Sequence, residues 1–180
     1  AQPGKKGQLR KFKLVLKLIA NYGLIGLPNA GKSSLLNELT KAQVKTAPYP
    51  FTTLEPNLGV FNNKVIADIP GLIEGASSGK GLGIKFLKHV EKVEVLIHCV
   101  ASDSEDVLAD YKTVLQEIEQ YNNELLSKKQ IILLTKTDLI DEKKQAELIK
   151  KLSKFHKEVL PISMYNPEQF NKFKQFLSSL

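Results

Sequence analysis

Residues 9 to 18, LRKFKLVLKL, place Phe12, Leu14, Leu16 and Leu18 at a period of two with lysines among them, the pattern of a half-buried strand. NYGLIGL (21–27) is a short apolar run ending in glycine before Pro28, which suits a fully buried strand, and KSSLLNELTK (32–41) has helical spacing. KTAPYPFTTLEP (45–56) carries three prolines and reads as an extended loop. NLGVF and KVIADI are joined by Asn62-Asn63, a tight hairpin turn. IKFLKHVEK predicts a helix and VEVLIHCV a buried strand, followed by a long amphipathic helix, DSEDVLADYKTVLQEIEQYNNELL, with an acidic first turn. A strand (QIILLT), a helix (DEKKQAELIKKLSKF), a strand (EVLPIS) and a last helix (NPEQFNKFKQFLSSL) complete the chain. Strands alternating with helices predict a doubly wound α/β fold with a mainly parallel sheet of six strands covered on both faces. The strand at 9–18 fits awkwardly, and two readings stand: an extension of this sheet, or the end of an upstream domain.

Composition narrows the class. The 180 residues are 42% hydrophobic and 25% charged, which is globular rather than disordered. A single cysteine, Cys99, excludes an intrachain disulfide framework and suits a reducing cytoplasm. No apolar run reaches the roughly 20 residues needed to span a bilayer. The net charge of +7 is a terminal feature: residues 1–17 hold six basic side chains and no acid, leaving 20 basic against 19 acidic in the rest. The core therefore carries little of the charge that a nucleic-acid binder needs.

The chemistry begins at GLPNAGKS, Gly26 to Ser33, which matches G-x-x-x-x-G-K-[ST] between a strand and a helix. Glycines let the backbone curl so that its N–H groups surround phosphate oxygens at the positive end of a helix. The loop residues Gly26, Leu27, Pro28, Asn29, Ala30, Gly31, Lys32, Ser33 and Ser34 form the candidate phosphate site. Lys32 is expected on the β- and γ-phosphates and Ser33 on Mg²⁺. Asp68 ends an apolar strand, where a carboxylate can hold the metal through water, and Ile69, Pro70 and Gly71 complete D-x-x-G. Gly71 offers a backbone N–H to the γ-phosphate. Thr52 or Thr53, next to Phe51, can supply a second hydroxyl to the metal, with Thr53 the candidate ligand.

Base choice lies in TKTD at the end of a strand. Asp138 can accept two hydrogen bonds from guanine N1 and its 2-amino group, a donor pair adenine lacks. The stem of Lys136 can cover the ring, with Leu139 beside it. Thr135 stands where many GTPases have asparagine; it keeps a hydroxyl but loses the amide, weakening contacts to the base edge and the phosphate loop. Ser163, Met164 and Tyr165 are expected to close the pocket near guanine O6. His98 and Cys99 lie within an apolar strand and read as core residues.

Together these segments resemble the Obg family of GTPases, specifically its central GTP-binding domain. GLIGLPNAGKSSLL, APYPFTTLEPNLGV and ADIPGLIEGASSGKGLGIKFLKHVE carry the resemblance, and TKTD and PISM extend it more loosely. It implies a cytoplasmic GTPase, monomeric, that converts GTP to GDP with Mg²⁺ and acts in large ribosomal subunit assembly and growth control. It also implies that residues 1–20 are the last strand and junction of an upstream domain and that 21–180 form the GTPase domain. Leu72 stands where many GTPases carry a water-positioning glutamine. In potassium-activated relatives of this fold, an asparagine at the place of Asn29 ligates K⁺, so the resemblance admits K⁺ as a further cofactor; a merely slow switch is the other reading. A nucleotide-sensing module with negligible turnover is a further alternative. A phosphotransferase would want a lid of arginines, and the chain's one arginine is Arg10, outside the core.

Overall fold

In the computed structural model of the chain, residues 20–40, 45–46, 57–69, 93–121, 123–156 and 158–180 are described, together with Gly4 and Gly7. The expected strand at 9–18, the helix at 84–92 and most of the loops at 45–56 and 68–83 lie outside them.

The described strands are β1 (Tyr22–Ile25), β2 (Lys45–Thr46), β3 (Asn57–Phe61), β4 (Lys64–Asp68), β5 (Val95–Ala101), β6 (Lys129–Thr135) and β7 (Val159–Pro161). The described helices are α1 (Lys32–Thr40), α2 (Val107–Tyr121), α3 (Glu142–Leu152) and α4 (Pro167–Ser179). The sheet runs β2-β3-β4-β1-β5-β6-β7. Pairs from β4 through β7 are parallel, while β2 and β4 flank β3 antiparallel. The six expected strands all form, and a seventh joins them: Lys45 and Thr46, expected in a loop, pair with Leu58 and Asn57. They satisfy backbone groups on the outer edge of β3 that would otherwise face solvent.

Three of the four helices begin where the sequence supplies a cap. Asp106 accepts from the Leu108 and Ala109 N–H groups at 3.0 Å each, so α2 starts at Val107 rather than at Asp103 as its composition suggested. Asp141 accepts from Lys144 N, and Asn166 from Glu168 N and Gln169 N, with Pro167 in the first turn. The Asn62-Asn63 turn has φ of 49° and 62°, the left-handed pair that a two-residue hairpin requires.

Both faces of the sheet are covered. Leu24, Ile97 and Leu133 pack with Leu35, Leu36 and Leu39 of α1 and with Phe170, Phe173 and Leu177 of α4. On the opposite face Ile25 and Leu96 meet Val114 and Ile118 of α2, and Ile132 and Leu134 meet Tyr111 of α2 and Leu148 and Leu152 of α3. β1 lies between β4 and β5, where the order of strands reverses. In doubly wound sheets ligands bind at this switch point, outside the carboxyl ends of the strands. The loops after β1, β4, β5, β6 and β7 all emerge there.

Candidate functional site

The loop after β1 turns tightly because Gly26 has φ +146°, and a Cβ there would collide with the carbonyl oxygen of Cys99. Asn29 (φ 61°) and Gly31 (φ 84°) continue the turn, and α1 begins at Lys32. Lys32 is 9% exposed, and its ammonium donates to the carbonyls of Gly26 (2.9 Å) and Leu27 (2.8 Å). Burial lowers its pKa, opposed by the nearby Asp68 carboxylate.

Ser33 Oγ donates to Asp68 Oδ2 at 2.5 Å, which ties the first turn of α1 to the end of β4. Asp68 is 3% exposed, and its Oδ1 is buried without a hydrogen-bond partner among the described residues. A buried carboxylate oxygen with no donor beside a serine hydroxyl is an incomplete set of hard oxygen ligands, which fits Mg²⁺.

A cavity of about 310 Å³ adjoins the loop, lined by Gly31, Leu35, Thr135, Lys136, Asp138, Leu139, Ile162, Met164 and Tyr165. It is a largely apolar slot with one carboxylate, Asp138, a lining that suits a heteroaromatic ring. Thr135 Oγ1 lies 2.9 Å from Ala30 O and 3.2 Å from Val100 O. The hydroxyl thus keeps one contact to the phosphate loop, at the Ala30 carbonyl, where weakened contacts were expected. Lys136 adopts φ 56°, and its ammonium pairs with Asp103 at 3.0 Å. Ser102 Oγ donates to Lys136 O at 2.8 Å and Ser102 N to Thr135 O at 3.0 Å.

Ser163 is 2% exposed, and its hydroxyl accepts from Tyr165 N at 3.0 Å, fixing the turn that leads into α4. Met164 and Tyr165 are exposed and rim the slot. The structure therefore brings together Gly26 to Ser34, Asp68, Ile69, Thr135, Lys136, Asp138, Leu139, Ser163, Met164 and Tyr165. Phe51, Thr52, Thr53, Pro70, Gly71 and Leu72 lie outside the described residues.

His98 and Cys99 are each 1% exposed in β5, as expected of core residues. Burial holds the His98 pKa down to about 3, helped by Lys32, and pushes the Cys99 thiol up to about 12. Neither ionises near neutral pH.

The family model for the 50S ribosome-binding GTPases matches residues 21–136. GTPase Obg of Rickettsia massiliae is 53% identical over 164 residues, covering 88% of this chain and 50% of that protein. GTPase Obg of Cytophaga hutchinsonii is 48% identical over 159 residues, covering 86% and 47%. The chain belongs to the Obg family of GTPases. It spans about half the length of these curated relatives.

Solved structures agree on the family's fold. The G domain of the T. maritima FeoB iron transporter superimposes with a TM-score of 0.64 at 23% identity, covering 90% of this chain and 98% of that one. Era of Aquifex aeolicus, bound to GDP and AlF4⁻, gives 0.62 at 24% identity, covering 91% and 57%.

Ser102 and Asp103, which hold the Thr135–Lys136 segment, were missed by motif reading. They sit on no motif, yet they are the first polar residues after β5, the strand beside β6. Their position in the fold was the available signal.

Proposed function

We propose that this domain binds GTP with Mg²⁺ and hydrolyses it slowly, as a switch within a cytoplasmic, monomeric protein that works on the large ribosomal subunit. The observation that carries the reading is continuity: one slot holds both Gly31 of the phosphate loop and Asp138 of TKTD, and Thr135 ties its wall to Ala30. A nucleotide laid across it would have its base against Asp138 and its phosphates over Gly26 to Ser33.

In that pose Asp138 accepts from guanine N1 and the 2-amino group while the Lys136 stem, held by Asp103, covers the ring. Ser163 holds the turn that presents backbone N–H groups toward guanine O6. Lys32 leaves one loop carbonyl and reaches the phosphates, and the loop N–H groups surround them. Ser33 directly and Asp68 through water would hold Mg²⁺, with Thr53 as a further ligand and the Gly71 N–H on the γ-phosphate. The chemistry a bound Mg²⁺ supplies is neutralisation of charge on the β- and γ-phosphate oxygens.

Leu72 cannot orient a water, so electrostatic stabilisation must come from another group. Asn29, exposed and in left-handed conformation, presents an amide from the loop where a K⁺ beside the phosphates would supply that charge. The role at the ribosome rests on the description of the matching family model, 50S ribosome-binding GTPase.

GTP turnover is the test. Hydrolysis by the chain is expected with Mg²⁺ and lost on chelation with EDTA. It is expected to run faster in K⁺ than in Na⁺, with Asn29→Ala abolishing that difference. Equal rates in the two salts would remove the potassium reading. No turnover above the metal-free blank would favour a nucleotide-sensing module instead.

A further inference from the structure

Asp138 is exposed at the boundary between two spaces: the slot of about 310 Å³ and a larger cleft of about 610 Å³ lined also by Thr137, Ser163, Asn166 and Gln169. A carboxylate between two openings has little packing to aim it, so its direction depends on the backbone that carries it. The neighbouring residue is held firmly. Thr137 is 5% exposed; its N–H donates to Ile162 O at 3.3 Å and its hydroxyl to Gln169 Oε1 at 2.9 Å.

Gln169 stands in the first turn of α4, and its own N–H is capped by Asn166 at 3.2 Å. That turn follows directly on Ser163, Met164 and Tyr165. The Thr137–Gln169 bond therefore joins the two stretches that face the base, TKTD and the Ser163 turn, across the floor of the larger cleft. On the other side, Lys136 is held by Asp103 through a partly exposed ion pair, an interaction that water weakens. The Thr137–Gln169 bond has a better-shielded partner and lies next to Asp138 in sequence.

We propose that Gln169 is a positioning residue for guanine selection, acting through the Thr137 hydroxyl to aim the Asp138 carboxylate at the two donors of the base. This rests on the reading of Asp138 as the guanine acceptor. Removing the acceptor at 169 leaves a buried hydroxyl unsatisfied and lets the 136–138 turn shift. The two-donor contact then degrades more than a one-donor contact.

Inosine diphosphate supplies the comparison, since its base keeps N1–H and lacks the 2-amino group. Affinities for GDP, IDP and ADP are measured with Mg²⁺ for the parent chain, Gln169→Met, Gln169→Glu and Thr137→Val. Gln169→Met is expected to weaken GDP about fivefold and IDP by no more than about twofold, narrowing the ratio between them. Thr137→Val should do the same, the double variant should add nothing further, and Gln169→Glu, which keeps an acceptor, should restore GDP affinity. A parental GDP-to-IDP ratio in Gln169→Met, or an equal loss for both nucleotides, would overturn the proposal and leave Gln169 a structural residue. A parent that prefers GDP over neither IDP nor ADP would overturn the guanine reading on which it stands.

Discussion

Lys32 and His98 lie beneath the same loop, and burial lowers the pKa of both, with different consequences. Lys32 donates to two carbonyls and faces Asp68, whose charge opposes the lowering. Among the described residues His98 Nδ1 is buried and unbonded, and its ring packs tilted on Tyr111 with centroids 4.8 Å apart. In the folded chain it stays neutral down to about pH 3. An unfolded histidine takes up its proton near pH 6.5. As pH falls below about 6.5 the unfolded chain binds the extra proton first, so the stability associated with His98 is present above that value and is lost progressively toward pH 3. His98→Leu should therefore lose less melting temperature than the parent between pH 7 and pH 4.5. Parallel pH profiles for the two chains would show that His98 contributes nothing to acid sensitivity.

At the scale of elements, apolar runs, helical spacing and caps proved informative, whereas elements too short or too glycine-dependent to leave such a mark did not. The buried strands β5 and β6 and the helices α3 and α4 follow from apolar runs, helical spacing and capping residues. β2 is two residues long, too short for a pattern, and exists because β3 offers it an edge. The contact between β3 and α1 was also illegible, since glycine leaves no apolar mark. Gly59 faces α1 so closely that a Cβ would collide with Thr40 Cγ2 and come within 2.9 Å of Leu36 Cδ1. Thr40 cannot swing aside freely, being β-branched and bonded through its hydroxyl to Leu36 O at 2.8 Å. Gly59→Ala should cost about 1–3 kcal/mol of stability. Thermal unfolding checks it, and a melting temperature equal to the parent's would mean that α1 stands further from β3 than the structure places it.

For the molecule as a whole, the sheet order turns a list of motifs into one site. GLPNAGKS, Asp68 and TKTD were legible because glycine spacing and strand-end carboxylates are local signals. Their convergence follows from a parallel sheet whose loops emerge at one edge around β1. The bonds of Asp103, Ser102 and Gln169 were not legible, because each partner lies more than 30 residues away and no local pattern marks them. Among the described residues no helix is long and apolar enough to cross a membrane. The central claim is that Asp138 reads guanine in a slot continuous with the phosphate loop. Its most direct test is the affinity of the parent chain and of Asp138→Asn for GDP and for xanthosine diphosphate, with Mg²⁺ present. An amide offers xanthine's 2-oxo group a donor and removes guanine's acceptor pair. GDP binding should weaken by at least about tenfold while xanthosine diphosphate binding improves. An Asp138→Asn chain that is folded and binds GDP as tightly as the parent would contradict the account.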